Sequence, residues 1–184
     1  QNMNFVMDLT VKEFLELHAE SRMVEDVDRV VEEIIEAANN LAGERFSLDT
    51  PITSLSGGQS RALMIADTAI LSSSPIVLID EIENAGIDRK KALKLLVSSD
   101  KIVLMATHDP ILALMADKRI VIKNGGIEKV IETSKEEKRV LAELERMDNI
   151  IQNMRHDLRK GLTINYGYLV TDNHKGHRNI VILK

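Results

Sequence analysis

Two short apolar runs limit the fold more than any other feature of the sequence. They are Ile76-Val77-Leu78-Ile79 and Ile102-Val103-Leu104-Met105-Ala106. A strand with one face in water alternates polar and apolar residues. An unbroken run implies cover on both faces, the situation of a parallel sheet. Between the runs, residues 88–98 read as a helix. Strand, helix, strand in that order predicts an α/β chain. The first run ends in Asp80-Glu81 and the second in Thr107-His108. Ligands bind beyond the carboxyl ends of strands in open α/β sheets, so these polar residues stand where a site belongs.

The sequence before the first run is helical. Val11, Phe14, Leu15 and the stem of His18 form one apolar set, and Val27, Val30, Val31, Ile34, Ile35 and Ala38 form another, both at helical spacing. Thr10 with Glu13 three residues later predicts a capping box. Gly43 is expected to stop the second helix. Residues 44–55 form a loop containing Pro51. From Gly57 to about Leu71 the pattern is helical again, with Leu63, Ala66, Ala69 and Ile70 available for burial, until Ser72-Ser73-Ser74-Pro75 breaks it.

After the second run, a helix is expected to start at Pro110. Residues 119–122 and 127–131 flank Asn124-Gly125-Gly126, a hairpin signal. A long polar helix should follow, over about 135–159. Val140, Leu144, Met147, Ile151, Met154 and Leu158 are spaced 4, 3, 4, 3, 4 along it, a short heptad seam. That seam suits packing on the body of the domain, or a dimeric coiled coil. Residues 162–184 read as two short strands around 172–176. The boundaries expected are 1–54, 55–131 and 132–184.

The 184 residues are 44% hydrophobic, enough for a core, but only 3% aromatic, so aliphatic side chains must fill it. With no cysteine there is no disulfide, thiolate metal site or cysteine nucleophile. Residues 1–50 carry 12 acids against 4 bases, while residues 155–184 carry 6 bases against 2 acids. The acidic front and the overall charge of -5 disfavour a protein that coats nucleic acid. No apolar run approaches the roughly 20 residues of a membrane helix, and no secretory signal opens the chain.

Three fragments carry chemistry. In Leu55-Ser56-Gly57-Gly58-Gln59, Ser56 caps a helix and two glycines let backbone N–H groups approach an anion at the positive end of its dipole. A plain capped helix start would look the same. Asp80 can hold Mg²⁺ directly or through water, and Glu81 can orient or deprotonate a water. The alternative is a solvated acidic turn. His108, after the second strand, can hydrogen-bond a phosphate or the attacking water, or serve only in structure. His174 and His177, three apart, with His156 upstream, read as a weak metal set or a polar turn.

Taken together, in this order and spacing, the fragments resemble the ATP-binding-cassette (ABC) ATPase family. LSGGQ at 55–59 resembles its signature, IVLIDE at 76–81 its Walker B with catalytic glutamate, 84–88 its D-loop, and Thr107-His108-Asp109-Pro110 its switch-histidine loop. Gln1-Asn2-Met3 running into Leu9-Thr10-Val11-Lys12-Glu13 resembles the Q-loop entering the helical subdomain. The resemblance covers about residues 1–131. One departure is the stretch from Glu81 to Asp88, one residue longer than the family's Glu-Pro-Thr-Ser-Ala-Leu-Asp. The other is that no G-x-x-x-x-G-K-[ST] phosphate loop occurs. The expectation is therefore the C-terminal part of a P-loop NTPase of ABC type: a parallel sheet, a helical subdomain, and a C-terminal helix with short strands. The phosphate loop would lie upstream or on another chain.

The resemblance implies a head-to-tail dimer of ATP-binding domains, or a paired domain, that hydrolyses ATP with Mg²⁺. Ser56, Gly57, Gly58 and Gln59 would contact ATP across the dimer. Asp80 and Gln1 would serve the metal, Glu81 would be the general base, His108 would sense the γ-phosphate, and Asp88 would belong to the D-loop contacts. Residues 11–50 would grip a membrane subunit, placing the protein in the cytoplasm, peripheral at the inner face of the membrane. This chain alone would be inactive for lack of the phosphate loop. The alternatives are a soluble ABC protein of chromosome, DNA-repair or translation type, and a non-catalytic interaction module.

Overall fold

The computed structural model describes residues 7–80, 82, 86–98 and 101–164. The chain divides into two compact units, Gln1–Asp109 and Pro110–Lys184.

In the first unit, α1 (Val11–Ser21) begins at the capping box. Glu13 N donates to Thr10 Oγ1 at 3.2 Å, and Thr10 N donates to the Glu13 carboxylate at 2.7 Å. The helix ends without a glycine. Met23 takes the left-handed conformation, φ 56°, while its N–H reaches Glu20 O and Val24 N–H reaches Ala19 O. That is the Schellman pattern with a methionine at the left-handed position. α2 (Val27–Leu41) then starts on the Asp26 cap. It ends at Leu41 with Ala42 extended, and Gly43 is not among the left-handed residues, so no glycine turn stops it. A single 3₁₀ turn, Ile52–Ser54, leads to α3 (Gly57–Leu71).

The core lies among these helices. Val11, Leu15, Ala19, Ile34, Ala38, Leu63 and Ala66 are its most buried members, joined by Phe14, Val31 and Ile52. Both expected apolar stripes face it. Of the α3 residues expected inside, Leu63, Ala66 and Ala69 are buried, whereas Ile70 is only partly so.

β1 (Ile76–Asp80) and β2 (Ile102–Ala106) pair in parallel, Ile76 against Ile102 through Asp80 against Ala106, with α4 (Arg89–Ser98) between them in sequence. The strands and their orientation match the expectation. Their burial does not. Val77, Ile79, Val103 and Met105 are half-buried, but Ile76, Leu78, Ile102 and Leu104 are exposed, Leu78 by 76%. The described residues cover one face of the pair in part and leave the other open. An unbroken apolar run states a requirement for cover; it does not supply the cover.

In the second unit, α5 (Pro110–Met115) precedes a hairpin of β3 (Lys118–Lys123) and β4 (Gly126–Glu132). Asn124 (φ 50°) and Gly125 (φ 77°) form its two-residue turn, the left-handed pair that matches strand twist. α6 (Lys135–Arg159) is one 25-residue helix, opened by a capping box between Ser134 and Glu137. It packs on α5, yet none of its residues is buried. The contact is shallow along the seam: Leu144 and Met154 are half-buried, while Val140, Met147, Ile151 and Leu158 stay exposed. The expected strands after residue 162 fall almost wholly outside the described residues.

Candidate phosphate-contacting turn and carboxylate edge

The Ser56 turn is built by local chemistry. Ser56 Oγ accepts from Gln59 N at 3.3 Å, and Gln59 Oε1 accepts from Ser56 N at 2.8 Å, a reciprocal capping box. Gln59 Nε2 also donates to Glu44 O at 3.4 Å, tying the turn to the loop before it. The next amide, Ser60 N, closes the first turn on Ser56 O. Of the N–H groups that a helix start leaves open, those of Gly57 and Gly58 have no acceptor among the described residues. They are two adjacent donors at the positive end of a 15-residue helix. A Cβ at Gly57 would meet nothing within 4 Å, so the space beside its Cα is open.

The second feature is the carboxyl edge of the parallel pair. Asp80 is the last residue of β1 and lies opposite Ala106. His108 follows two residues later, and both side chains are exposed. Neighbouring strands lie about 4.8 Å apart, so the two residues share one edge. The turn carrying His108 is fixed by two links. Asp109 N donates to Thr107 Oγ1 at 3.0 Å, and Arg89 at the start of α4 forms a short ion pair with Asp109.

The loop from β1 to α4 joins the two features. Gly86, at φ 67°, lies beside the signature turn: a Cβ built on it would stand 3.8 Å from Gly58 Cα. Ile87 bridges to Ala42, and Asp88 N donates to Leu41 O at 2.9 Å, so the loop is held against the end of α2. Asp80 and Gly86 are six residues apart, so they stand at most about 20 Å from each other.

Asp88 itself has a local task. Its carboxylate accepts from Lys91 N at 3.1 Å and lies 3.4 Å from Lys91 Nζ, so it caps α4. Gln1 and Glu81 lie outside the described residues, as do His174 and His177. Among the described residues no group of three His, Asp or Glu side chains has the arrangement to hold a metal ion, and no helix is long and apolar enough to cross a membrane.

Sequence reasoning missed the pair His18–Asp67. Asp67 is 4% exposed, and His18 Nδ1 lies 3.2 Å from each of its carboxylate oxygens. The His18 ring rests on Phe14, centroids 4.2 Å apart. A signal existed: Asp67 is four residues from Leu63 on the buried face of α3, and a carboxylate there requires a partner.

No family model matches the chain. Similar proteins do exist. An uncharacterised ABC transporter ATP-binding protein of Methanocaldococcus jannaschii is 55% identical over 161 residues, 88% of this chain and 61% of that protein. An energy-coupling factor transporter ATP-binding protein of Malacoplasma penetrans is 31% identical over 126 residues, 65% of this chain and 42% of that protein. The chain thus spans less than two thirds of the length of each relative. Among solved structures, the dimeric post-hydrolysis state of an ATP-binding cassette bound to ADP and Pi matches with TM-score 0.51 and 25% identity, over 68% of this chain and 57% of that one. A component of an ABC transporter complex from Clostridium perfringens matches with TM-score 0.53 and 22% identity, over 82% and 60% of the two chains, and so attests the fold. Sequence and fold agree: the chain is part of an ATP-binding domain of the ATP-binding-cassette family.

Proposed function

We propose that the protein carrying this chain is an ATPase that works as a head-to-tail pair of ATP-binding domains and powers a membrane transporter. The observation that supports this best is the combination, in one unit, of two open glycine amides at the start of α3 with Asp80 and His108 at one strand edge. The transporter ATP-binding roles in the relatives' names support the coupling to a membrane subunit, and the ADP-bound dimer among the structural neighbours supports the pairing.

The residues present fit Mg-ATP. Gly57 and Gly58 offer N–H donors, Ser56 a hydroxyl and Gln59 an amide to a phosphate presented by the opposite domain. Asp80, exposed at the edge, suits an aquated Mg²⁺ better than direct capture, because one carboxylate leaves most of the coordination shell to water. When bound, Mg²⁺ neutralises charge on the β- and γ-phosphates. Glu81, next along the chain, takes the proton from the attacking water. His108 donates or accepts at the γ-phosphate, and Gln1 links the metal site to the helical subdomain. Asp88, beside Gly86, sets the loop facing the signature turn. Residues 11–50 form the surface for the membrane subunit, which places the domain at the cytoplasmic face of the membrane.

The test is Glu81→Gln in the full-length protein. Removing a general base should slow hydrolysis by about 100-fold or more and leave ATP binding intact; unchanged turnover would refute the role. The 184-residue chain alone, without a G-x-x-x-x-G-K-[ST] segment, should show no heat of binding when titrated with Mg-ATP. Micromolar binding would reveal a phosphate site elsewhere in it.

A further inference from the structure

The pair of half-buried His18 and buried Asp67 has no part in the chemistry above, yet a carboxylate at 4% exposure in an aliphatic core is costly to keep. Its location suggests why it is kept. The buried face of α3 consists largely of small side chains: Ala62, Ala66 and Ala69, with Leu63 and Leu71. α3 packs mainly against α2 and only slightly against α1, and small side chains interlock shallowly, so apolar contact fixes α3 poorly relative to α1. Apolar contact is also non-directional. A hydrogen-bonded pair with a buried carboxylate is directional and resists slip and rotation.

The partner side of the pair is well anchored. Val11, Leu15 and Ala19 of α1 are fully buried, and Val11 N and Lys12 N donate to Thr50 O and Leu48 O at 2.9 Å each. His18 is further held by its ring contact with Phe14. Arg22, capping the end of α1, adds a link to α3 through Nη1 to Leu71 O at 3.3 Å. α3 is uninterrupted from Gly57 to Leu71, so its start moves with Asp67, ten residues or roughly 15 Å away.

We infer that His18 and Asp67 are a positioning pair: they lock the register of α3 against α1 and thereby set where the Ser56–Gln59 turn presents its amides. The functional half of this inference rests on the phosphate-contacting reading of that turn. The structural half does not.

The test replaces the pair with leucines, His18→Leu with Asp67→Leu. Exchanging a largely buried polar pair for apolar residues is often neutral or stabilising, so this variant should melt at or above the wild-type temperature. The register should nevertheless loosen. In ¹⁵N NMR of the full chain, the amide signals of Gly57, Gly58 and Gln59 should broaden or double, while those of β3 and β4 stay single. Unchanged signals for the three would overturn the inference. If the double leucine variant fails to fold, Asp67→Asn keeps the shape of the side chain and should shift the same three signals.

The functional arm uses the full-length protein. ATP-dependent association of the leucine variant should weaken about tenfold, and should weaken no further when Ser56→Ala is added, because both changes act through one turn. Association at wild-type strength would overturn the positioning role. If the wild-type protein itself does not associate with ATP, the proposed function fails, and the NMR arm alone decides the register lock.

Discussion

Glu13 and Glu137 hold the same post, three residues after a hydroxyl cap, and both are more acidic than usual. The Thr10 N–H lowers the pKa of Glu13 from its ordinary 4.5, helped by the Thr10 hydroxyl. The Ser134 N–H does the same for Glu137, aided by the Arg119 guanidinium. A carboxylate with a depressed folded-state pKa contributes stability that is complete above its ordinary value and is lost as pH falls through the depressed one. Acidification below pH 4.5 should therefore fray the starts of α1 and α6 first, read as accelerated amide exchange there, and Glu13→Gln should remove that pH dependence from α1. Local rules of this kind are legible in sequence: Thr10 with Glu13 and Ser56 with Gln59 lie within four residues, so pattern suffices. His18 and Asp67 are 49 positions apart, and no spacing rule spans that distance.

The helices and strands form where periodicity and turn residues place them. What periodicity could not disclose is how α1 ends. The sequence offers no glycine there, yet the chain makes a left-handed turn on Met23, whose side chain is 89% exposed. A residue with a Cβ pays a steric penalty in that conformation, and glycine avoids it. Met23→Gly should raise stability by about 0.5–1 kcal/mol, measured by denaturant titration with an unchanged slope. The hairpin is the opposite case, because Asn124-Gly125 states its turn type in two letters. For α6 the seam was readable as a pattern, but its outcome depends on which surface meets it, and a one-dimensional repeat does not contain that.

The described residues hold a helical core and a parallel pair with one face left open among them. Ile76, Leu78, Ile102 and Leu104 align across that pair and make an apolar patch. Such a patch drives association of the chain with itself when nothing else lies on it. Charging the aligned couple, Leu78→Glu with Leu104→Lys, should suppress concentration-dependent light scattering. Because both side chains are already exposed, folding stability should change by no more than about 0.5 kcal/mol. The fold class was legible because strand, helix and strand follow in order. The half-covered sheet was not, since burial belongs to the assembly of elements and not to any one of them. The candidate site was legible as separate fragments. The contact that joins two of them, Gly86 beside Gly58, lies in the stretch that departs from the family spacing.

That contact sets an unusual filter on mutation. A Cβ on Gly86 would stand at an ordinary 3.8 Å from Gly58 Cα, so there is room for it, and the obstacle is φ 67°. The position screens for handedness rather than size. Asparagine, which enters the left-handed region readily, should be accepted there, whereas the smaller alanine should be resisted and valine refused. A survey of tolerated residues ranked by volume would find no order at this position; ranked by ease of left-handed backbone, it would find one.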